Sequence, residues 1–297
     1  MTEDSDMTGL CGLLINYFIK TALPILAALF LGLQTSVTNA EIQLTFGTYT
    51  ADKPTTTVKK YKPFLDYLAQ EMSEILEEPV FIKMKIASDY EAGINQLVSG
   101  KVDFARFGPA SYVTAFTRND GIRIIAMEAK KGKKRFKGVI VVHADNEMQT
   151  LAELSQHSFA FGSELSTIGR YLAQSYLIQA GVTSNDLSNY AYLGRHDRVG
   201  MAVGSGKFTA GALKESTFKK LVEQGVPLRP LFEFDNVTKP WIAAVDLDPA
   251  VTAAMRQVML SAEDKEAIQN VSKGGFLTGT DSDFNLIREA MIQSERF

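Results

Sequence analysis

Cysteine and histidine are scarce in this sequence of 297 residues, which contains one cysteine, Cys11, and three histidines. A single cysteine excludes a disulfide within the chain and excludes a cysteine cluster that holds a metal. His143 and His157 have no partners at metal-ligand spacing, so we interpret both as structural. The G-x-S-x-G motif of many hydrolases is also missing. We therefore expect no metal site, and nothing in the sequence indicates an activated nucleophile.

An excess of positive charge is missing as well. The chain has 31 lysines and arginines, 34 aspartates and glutamates, and a formal net charge of -3 at pH 7. Without a general positive field, we do not expect nucleic acid as a partner. Residues 130–137 are a local exception because six of them are basic. This run is either a solvated loop or hairpin, or a rim that attracts anions beside a cleft.

Long hydrophobic runs are confined to the first forty residues, at positions 9–19 and 23–33. Small and polar residues follow and lead to Ala40, an order typical of a secretory signal peptide. The acidic start is unusual for such a peptide, and initiation at Met7 would remove it, which N-terminal sequencing can test. We predict that residues 1–40 are a signal peptide that directs the chain to the periplasm. The alternative is an uncleaved membrane anchor, since residues 9–33 can span a bilayer if Lys20 snorkels.

Strand and helix patterns alternate along the rest of the chain. Residues 42–127 read β-α-β-α-β-α-β, and residues 138–231 repeat the alternation. Such alternation predicts an α/β protein with mainly parallel sheets covered by helices. Ligands of such sheets bind at the carboxyl ends of the strands. Two α/β units on either side of a cleft can clamp a small molecule.

One stretch, residues 159–169, combines features of an anion site. An apolar strand pattern ends at Gly162, and Ser166 and Thr167 precede a helical pattern over residues 170–180. The start of a helix offers free backbone N–H groups and the positive end of the helix dipole, which together can hold an oxyanion. The ordinary alternative is that Ser166 and Thr167 only cap the helix.

Five segments, in order along the chain, resemble the substrate-binding proteins of phosphate, phosphite and phosphonate ABC transporters. They are Phe46-Gly47 with the later Pro63-Phe64-Leu65; residues 89–94 (DYEAGI); residues 102–112 (VDFARFGPASY); Phe161-Gly162 with residues 166–169 (STIG); and residues 194–197 (GRHD) with Ala202-Val203 and Gly206. Each motif alone is weak, but five in order over nearly all of the chain after residue 40 are specific.

The resemblance implies a type II periplasmic binding protein fold, in which two α/β lobes are joined by two crossing strands. Residues 41–135 plus 233–297 would form lobe 1, and residues 136–232 would form lobe 2. The crossings are expected near Phe136 and Phe232.

The resemblance also implies which residues bind the ligand. Members of the family hold an oxyanion at the helix start, which corresponds here to Ser166, Thr167 and the amides of Ile168 and Gly169. Tyr90 and His196 match pocket positions of the family, although from the sequence alone Tyr90 can equally be a core aromatic and His196 a structural histidine. Tyr49 joins the candidates on physical grounds, because it follows the first strand.

Three positions depart from the pattern of aminoalkylphosphonate binders. Ile168 replaces a further hydroxyl, Phe107 stands where those proteins have an aromatic hydroxyl, and Lys239 stands where they have a carboxylate for the amine of the ligand. Lys239 would repel an ammonium group, so we do not expect an aminoalkylphosphonate. Arg106 completes the candidate site; it either contacts an anionic ligand or bridges to Asp103 or another acid.

The resemblance thus implies a periplasmic solute-binding protein of an ABC transporter that clamps a small oxyanion, such as a phosphonate, phosphite or phosphate ester. Its partners would be this oxyanion and a membrane permease. The alternative is an extracytoplasmic sensing module that signals through a membrane partner. We expect a monomer that is not an enzyme and has no catalytic residue and no cofactor.

Overall fold

The computed structural model of the chain describes residues 41–50, 54–262 and 265–297. The predicted signal peptide, with its alternative as a membrane anchor, lies outside these described residues. Residues 41–297 form one unit by their mutual contacts. Within the described part of the chain, no helix combines the length and the apolar character that crossing a bilayer requires.

Strands and helices alternate along residues 42–128, as predicted. The strands are β1 (Ile42–Tyr49), β2 (Val80–Ala87), β3 (Phe104–Arg106), β4 (Arg123–Glu128), β5 (Arg135–His143), β6 (Ser158–Phe161), β7 (Asn189–Tyr192), β8 (Ala210–Lys214), β9 (Leu228–Val237), β10 (Pro240–Ala243) and β11 (Phe276–Leu277). The helices are α1 (Pro54–Leu76), α2 (Tyr90–Val98), α3 (Pro109–Arg118), α4 (Ala173–Gln179), α5 (His196–Gly204), α6 (Glu215–Glu223), α7 (Pro249–Ser261), α8 (Lys265–Ile268) and α9 (Asn285–Ser294). A π-helical turn, Thr167–Leu172, leads into α4, and single 3-10 turns cover Ala152–Leu154 and Asp281–Phe284.

The first sheet has the strand order β11-β4-β10-β3-β1-β2. β1 pairs in parallel with β2 and with β3. β10 lies antiparallel between β3 and β4, and β11 is antiparallel to β4. The sheet is therefore mixed, whereas the sequence predicted a mainly parallel one.

The direction of β10 follows from where the chain enters this sheet. The amide of Phe107, just after β3, donates to the carbonyl of Pro240, and the amide of Glu128 at the end of β4 donates to the carbonyl of Lys239. β10 thus begins beside the carboxyl ends of β3 and β4. A strand that enters at that edge must run opposite to its neighbours.

The second sheet has the order β7-β6-β8-β5-β9. β6 is parallel to β7 and β8, while β5 is antiparallel to β8 and β9. β5 and β9 pair over their whole lengths, from Arg135 opposite Val237 to His143 opposite Leu228. Since β5 follows the first sheet in the chain and β9 leads back to it, these two strands form the connection between the sheets.

Gly138 allows the backbone of β5 to lie close to the side chains of Phe234 and Ile168. A Cβ atom at this position would come within 2.4 Å of the Phe234 ring and 2.9 Å of Ile168 Cγ2. Only glycine fits without displacing them. Ile168, at the start of the π-helical turn, therefore packs closely against β5 at Gly138.

Helix α1 shows why an amphipathic pattern buries one face. Tyr61, Phe64, Leu65, Leu68 and Met72 recur at helical spacing and are at most 4% exposed. The helix begins at Pro54, so Pro63 lies in its third turn. Pro63 is on the exposed face, where water can bond the carbonyl left without a donor.

Trp241 is a core residue at the centre of the first sheet. It is 0% exposed and stacks on Phe46 with a centroid distance of 5.0 Å, while Phe64 meets it edge-on at 5.2 Å. The aromatic core holds β10 in place, and with it Lys239 just before β10.

Candidate functional site

Ser166 begins the π-helical turn and caps it. Its backbone is extended, and its hydroxyl accepts a hydrogen bond from the Gly169 amide at 2.9 Å. The Ser166 carbonyl accepts from Arg170 and, at 3.2 Å, from Tyr171, which is the wider spacing of a π-turn. The helical pattern was expected from residue 170, but helical structure starts at Thr167. The capped first turn thus places Thr167 and Ile168 beside the cleft.

The backbones of Gly162 and Gly169 lie in direct contact, and this contact makes the turn possible. The Gly162 amide donates to the Gly169 carbonyl at 2.8 Å. A Cβ atom on Gly169 would lie 2.8 Å from the Cα atom of Gly162, so no other residue fits. Gly169 therefore supports the site from behind, with its amide held by Ser166.

Thr167 bridges the two halves of the fold. Its hydroxyl accepts a hydrogen bond from the Ala110 amide at 2.9 Å. Ala110 is the second residue of α3, so its amide is one of those a helix start leaves without an intrahelical partner. The helix start after β6 thus meets the start of α3 across the cleft.

Tyr49 is a buried residue beside the cleft, and its hydroxyl bonds the backbone just before α3. It accepts a hydrogen bond from the Gly108 amide at 2.6 Å and lies 2.9 Å from the Ser111 hydroxyl. Its ring stacks on Tyr90 and Phe107 with centroid distances of 4.0 and 5.2 Å. Burial raises the pKa of Tyr49 despite these bonds, so the hydroxyl stays neutral at pH 7.

Two adjoining cavities lie between the halves. The first, which we call the seat cavity, has a volume of about 30 Å³ and the second, the basic cavity, about 70 Å³. Both are bounded by Tyr90, Gly108, His196, Lys214 and Lys239. The seat cavity is also bounded by Pro109, Phe136, Ser166, Thr167, Ile168 and Asn236. The basic cavity is also bounded by Thr48, Tyr49, Thr56, Thr57, Lys60, Tyr61 and Arg106.

Four helix starts converge on these cavities. Tyr90, Pro109, Thr167 and His196 are the first residues of α2, α3, the π-helical turn and α5, and each bounds the seat cavity. The dipoles of these elements favour negative charge at this point, although Pro109 itself has no N–H to donate. The seat is therefore built from several helix starts, of which the sequence singled out the one at Ser166.

Four cationic side chains bound the basic cavity, namely Lys60, Arg106, Lys214 and Lys239. They come from α1, the end of β3, the end of β8 and the link between β9 and β10. In the described part of the chain, no carboxylate lines this cavity. The arrangement attracts anions and disfavours cations.

Arg106 is held by Glu128. Its Nε and Nη2 atoms donate to the carboxylate at 2.6 and 2.8 Å, and both side chains are about nine-tenths buried. Burial by itself raises the pKa of Glu128, but the charge and hydrogen bonds of Arg106 outweigh it and bring the pKa to about 2. Of the two alternatives for Arg106, the bridge to an acid is present, and the acid is Glu128. Asp103 instead accepts from the Thr45 amide.

Lys239 is a half-buried lysine that lies among other cationic side chains. Its Nζ atom lies 4.7 Å from the centroid of the Phe136 ring, a cation–π contact. Burial lowers its pKa well below the usual value, and the charges of Arg106 and Lys214 lower it further. An anion beside Lys239 would therefore stabilise its charged form.

Asn236 is a site residue that the sequence did not reveal. It is 1% exposed, and among the described residues neither polar atom of its side chain has a hydrogen-bond partner. It belongs to β9 and bounds the seat cavity opposite Ser166 and Thr167. A buried amide without partners is rare in proteins and suits a ligand contact. Its only sequence signal is a polar residue near the end of a strand in which apolar and charged residues are mixed.

The structure brings most of the predicted site residues together. Ser166, Thr167, Ile168, Tyr90 and His196 bound the seat cavity, while Tyr49 and Arg106 bound the basic one. Phe107, which is fully buried, and Gly169 lie behind the walls. In the described part of the chain, no group of three or more His, Cys, Asp or Glu residues is placed to hold a metal ion.

The basic run at residues 130–137 forms a turn with several ion pairs and borders an outer cavity. Residues 130 and 133 pair with each other across a turn. Three of its lysines make ion pairs: Lys130 with Glu215, Lys134 with Asp283, and Lys137 with Glu233. Lys130 and Lys131 also bound an outer cavity of about 490 Å³ that shares Lys60, Arg106 and Lys239 with the basic cavity.

Comparison with known families identifies the chain. Residues 46–284 match a family described as ABC transporter, phosphonate, periplasmic substrate-binding protein. The chain belongs to this family. It is therefore a periplasmic solute-binding component of an ABC transporter, which works with a small ligand and a membrane permease. The family consists of transport proteins rather than enzymes.

Individual relatives agree with this assignment. A probable ABC transporter phosphite binding protein, PhnD1 of Prochlorococcus marinus (strain MIT 9301), is 27% identical over 215 residues, or 67% of this chain and 71% of that protein. The phosphate-import protein PhnD of Mycolicibacterium smegmatis is 24% identical over 235 residues, or 74% and 70% of the two chains.

A solved structure confirms the predicted fold. PhnD1 of Prochlorococcus marinus in complex with methylphosphonate matches with a TM-score of 0.76 and 24% identity, covering 86% of this chain and 99% of that one. The chain therefore has the type II periplasmic binding protein fold, as its resemblance to the family predicted.

Proposed function

We propose that this binding protein captures a small oxyanion of the phosphonate, phosphite or phosphate-ester class between two lobes and delivers it to its permease. The observation that carries the proposal is the basic cavity, where four cations meet with no carboxylate on the wall among the described residues. Helix starts at the adjoining seat cavity supply neutral N–H donors. The named ligands of the relatives, phosphite, phosphate and methylphosphonate, are of the same class.

Ligand contacts divide between the two cavities. Thr167, Tyr90 and His196 line the seat cavity and would hold the oxyanion, with Ser166 and Gly169 shaping the turn and Ile168 closing one side. Tyr49, Arg106 and Phe107 would form and support the opposite wall. Asn236 and Lys239 are added to these residues, Asn236 because it is buried at the seat cavity and Lys239 because it bounds both cavities.

Closure would bring the two sheets together about β5 and β9. We take residues 41–135 plus 233–297 as lobe 1 and residues 136–232 as lobe 2. The paired strands and the hydrogen bond from Ala110 to Thr167 support a hinge with a closed form. Binding and release need only this motion, so the proposed mechanism includes no chemical step.

The remaining features complete the proposal. A signal peptide over residues 1–40, cleaved after Ala40, would deliver the protein to the periplasm as a monomer. Neither a cofactor nor nucleic acid takes part, in keeping with the near-neutral charge.

A thermal-shift screen tests the proposed function. Phosphate, phosphite, methylphosphonate, organic phosphates and alkanesulfonates would each be added to the purified protein. A ligand present at one hundred times its dissociation constant should raise the melting temperature by about 5–10 °C. If none of these oxyanions changes the transition, the proposed function is wrong.

A further inference from the structure

The outer cavity adjoins both cavities of the candidate site and is much larger than either. Its volume is about 490 Å³, against about 30 Å³ for the seat cavity. It shares Phe136 and Lys239 with the seat cavity, and Lys60, Arg106 and Lys239 with the basic cavity. Among the described residues, Lys239 alone bounds all three. Most of the space near an oxyanion in the seat cavity therefore lies on the far side of Lys239.

Phe136 and Lys239 form the partition between the seat cavity and the outer cavity. The Nζ atom of Lys239 lies 4.7 Å from the centroid of the Phe136 ring. This cation–π contact is weak compared with a charge-assisted hydrogen bond to an oxyanion, and lysine is a flexible four-carbon chain. An oxyanion in the seat cavity can therefore draw Lys239 away from Phe136. That movement opens a passage along the ring from the seat cavity to the outer cavity.

Thr238 is the residue that indicates a ligand group in the outer cavity. It is 3% exposed, and its hydroxyl has no hydrogen-bond partner among the described residues. Its amide donates to the Lys134 carbonyl, so Thr238 continues the pairing of β9 with β5. It bounds the outer cavity two residues after Asn236, the unpartnered side chain at the seat cavity. Because a buried polar group is costly without a partner, each of these two cavities presents a group that one ligand can satisfy.

The wall of the outer cavity suits an organic group that bears a hydroxyl. Phe136 and Val271 provide apolar surface. Glu128 is the only carboxylate on this wall among the described residues, and both of its oxygens already accept hydrogen bonds from Arg106. The Thr238 hydroxyl can donate or accept, and a ligand hydroxyl complements it in either direction.

Building on the oxyanion function, we propose that the preferred ligand is a phosphonate or phosphate ester with a hydroxylated organic substituent in the outer cavity. The oxyanion lies in the seat cavity, the substituent passes between Phe136 and Lys239, and its hydroxyl bonds Thr238. Residues two apart on a strand are separated by about 6.6 Å, a span that a three-carbon chain ending in a hydroxyl covers. Inorganic phosphate and phosphite occupy the seat cavity alone.

Three phosphonates of equal charge test this specificity on the unmodified protein. They are methylphosphonate, propylphosphonate and 3-hydroxypropylphosphonate. In isothermal titration calorimetry, propylphosphonate should bind about fivefold to tenfold more tightly than methylphosphonate, because two more methylene groups are buried. The hydroxyl of 3-hydroxypropylphosphonate should add about a further fivefold. If propylphosphonate binds no more tightly than methylphosphonate, the outer cavity does not receive the substituent.

Thr238→Val locates the contact with the hydroxyl. The substitution keeps the shape of the side chain and should weaken 3-hydroxypropylphosphonate about fivefold, while methylphosphonate and propylphosphonate bind as before. Thr117→Val removes a hydroxyl that bonds the Val113 carbonyl within α3, and it should leave all three affinities unchanged. Equal weakening of propylphosphonate and 3-hydroxypropylphosphonate in Thr238→Val would show a packing effect and overturn the contact with Thr238.

The outcomes also separate this inference from the proposed function. If the three phosphonates bind the unmodified protein equally tightly, the site in the outer cavity is ruled out and the oxyanion function stands. If none of them binds, and phosphite and phosphate also fail to bind, the proposed function itself fails. The comparison of probes uses the unmodified protein, so it decides the question even if Thr238→Val does not fold.

Discussion

At the scale of single residues, the site is defined by buried polar groups whose partners differ. Arg106 has a carboxylate, Ser166 and Thr167 have backbone amides, and Asn236 has no partner among the described residues. A buried group that already has a partner contributes to stability, and one that has none is suited to a ligand. This difference leads to separate predictions for Glu128 and Asn236.

Glu128 should make the stability of the protein depend on acidity. Its pKa falls from 4.5 to about 2 on folding, so its contribution is complete above about pH 4.5 and is lost as the pH falls towards 2. Glu128→Gln leaves Arg106 buried without a counter-charge and should lower the free energy of unfolding at pH 7 by about 3–5 kcal/mol. Urea unfolding between pH 2 and 7 measures both effects. If the unfolding free energies of the unmodified protein and of Glu128→Gln fall by the same amount between pH 7 and pH 2, this role of Glu128 is contradicted.

Asn236 should matter for binding and not for folding. Asn236→Leu keeps the approximate volume and removes a buried amide without partners, so the unfolding free energy should stay the same or rise. Affinity for methylphosphonate should fall about tenfold, since one hydrogen bond to a charged group is lost.

Thr238→Val is the matched control for Asn236. The Thr238 hydroxyl is also buried without a partner among the described residues, but it borders the outer cavity and not the seat cavity. This variant should leave methylphosphonate affinity unchanged in calorimetry. Equal affinity in both variants and the unmodified protein would remove Asn236 from the site.

At the scale of elements, helix starts and the turn before α4 shape the seat. Ser166 caps the π-helical turn, and Gly162 and Gly169 approach each other so closely that a side chain at Gly169 would clash with Gly162. Capping and oxyanion binding were alternatives for Ser166 in the sequence. In the structure the cap is present, and Ser166 also bounds the seat cavity.

Two substitutions of Ser166 separate its roles. Ser166→Ala removes the cap and should lower the unfolding free energy by about 1 kcal/mol, whereas Ser166→Gly should lower it by only a few tenths, because glycine is an acceptable cap. If the hydroxyl also contacts the ligand, both variants weaken methylphosphonate binding. Chemical denaturation and calorimetry on the two proteins distinguish these effects. Normal affinity in Ser166→Gly would restrict Ser166 to capping.

At the scale of the whole molecule, the paired strands β5 and β9 connect two sheets that meet at the cleft. The hydrogen bond from Ala110 to Thr167 joins α3, which packs on the first sheet, to the turn that follows β6 of the second. In the open form that we propose, this bond would be broken. Its contribution therefore belongs to the balance between open and closed forms.

Thr167→Val should favour the open form. The substitution keeps the shape but leaves the Ala110 amide without an acceptor on closing, which disfavours closure by about 1 kcal/mol or roughly fivefold. Small-angle X-ray scattering without ligand should give a larger radius of gyration than for the unmodified protein, and methylphosphonate affinity should fall by a similar factor.

Thr117→Val serves as the control for closure. The Thr117 hydroxyl donates to the Val113 carbonyl within α3, away from Thr167. Its radius of gyration and affinity should match those of the unmodified protein. The same radius of gyration for Thr167→Val would show that the bridging bond does not set the balance.

Local features of the chain were predictable from the sequence by itself. The alternation of strands and helices, the capped helix start at Ser166 and the buried face of α1 depend on residues close together in the chain. Hydrophobic periodicity and capping chemistry act over a few residues, so they can be read without tertiary structure. The ordered motifs also identified the family and the fold.

The charge of the site was decided by tertiary structure alone. Lys60, Arg106, Lys214 and Lys239 come from four separate elements, and Arg106 meets Glu128 across β10. The antiparallel insertion of β10 was likewise not visible in the alternation of strands and helices. Residues far apart in sequence become neighbours only through the order of strands in a sheet, which side-chain periodicity does not encode. The fold as a whole gathers these cations around one cavity.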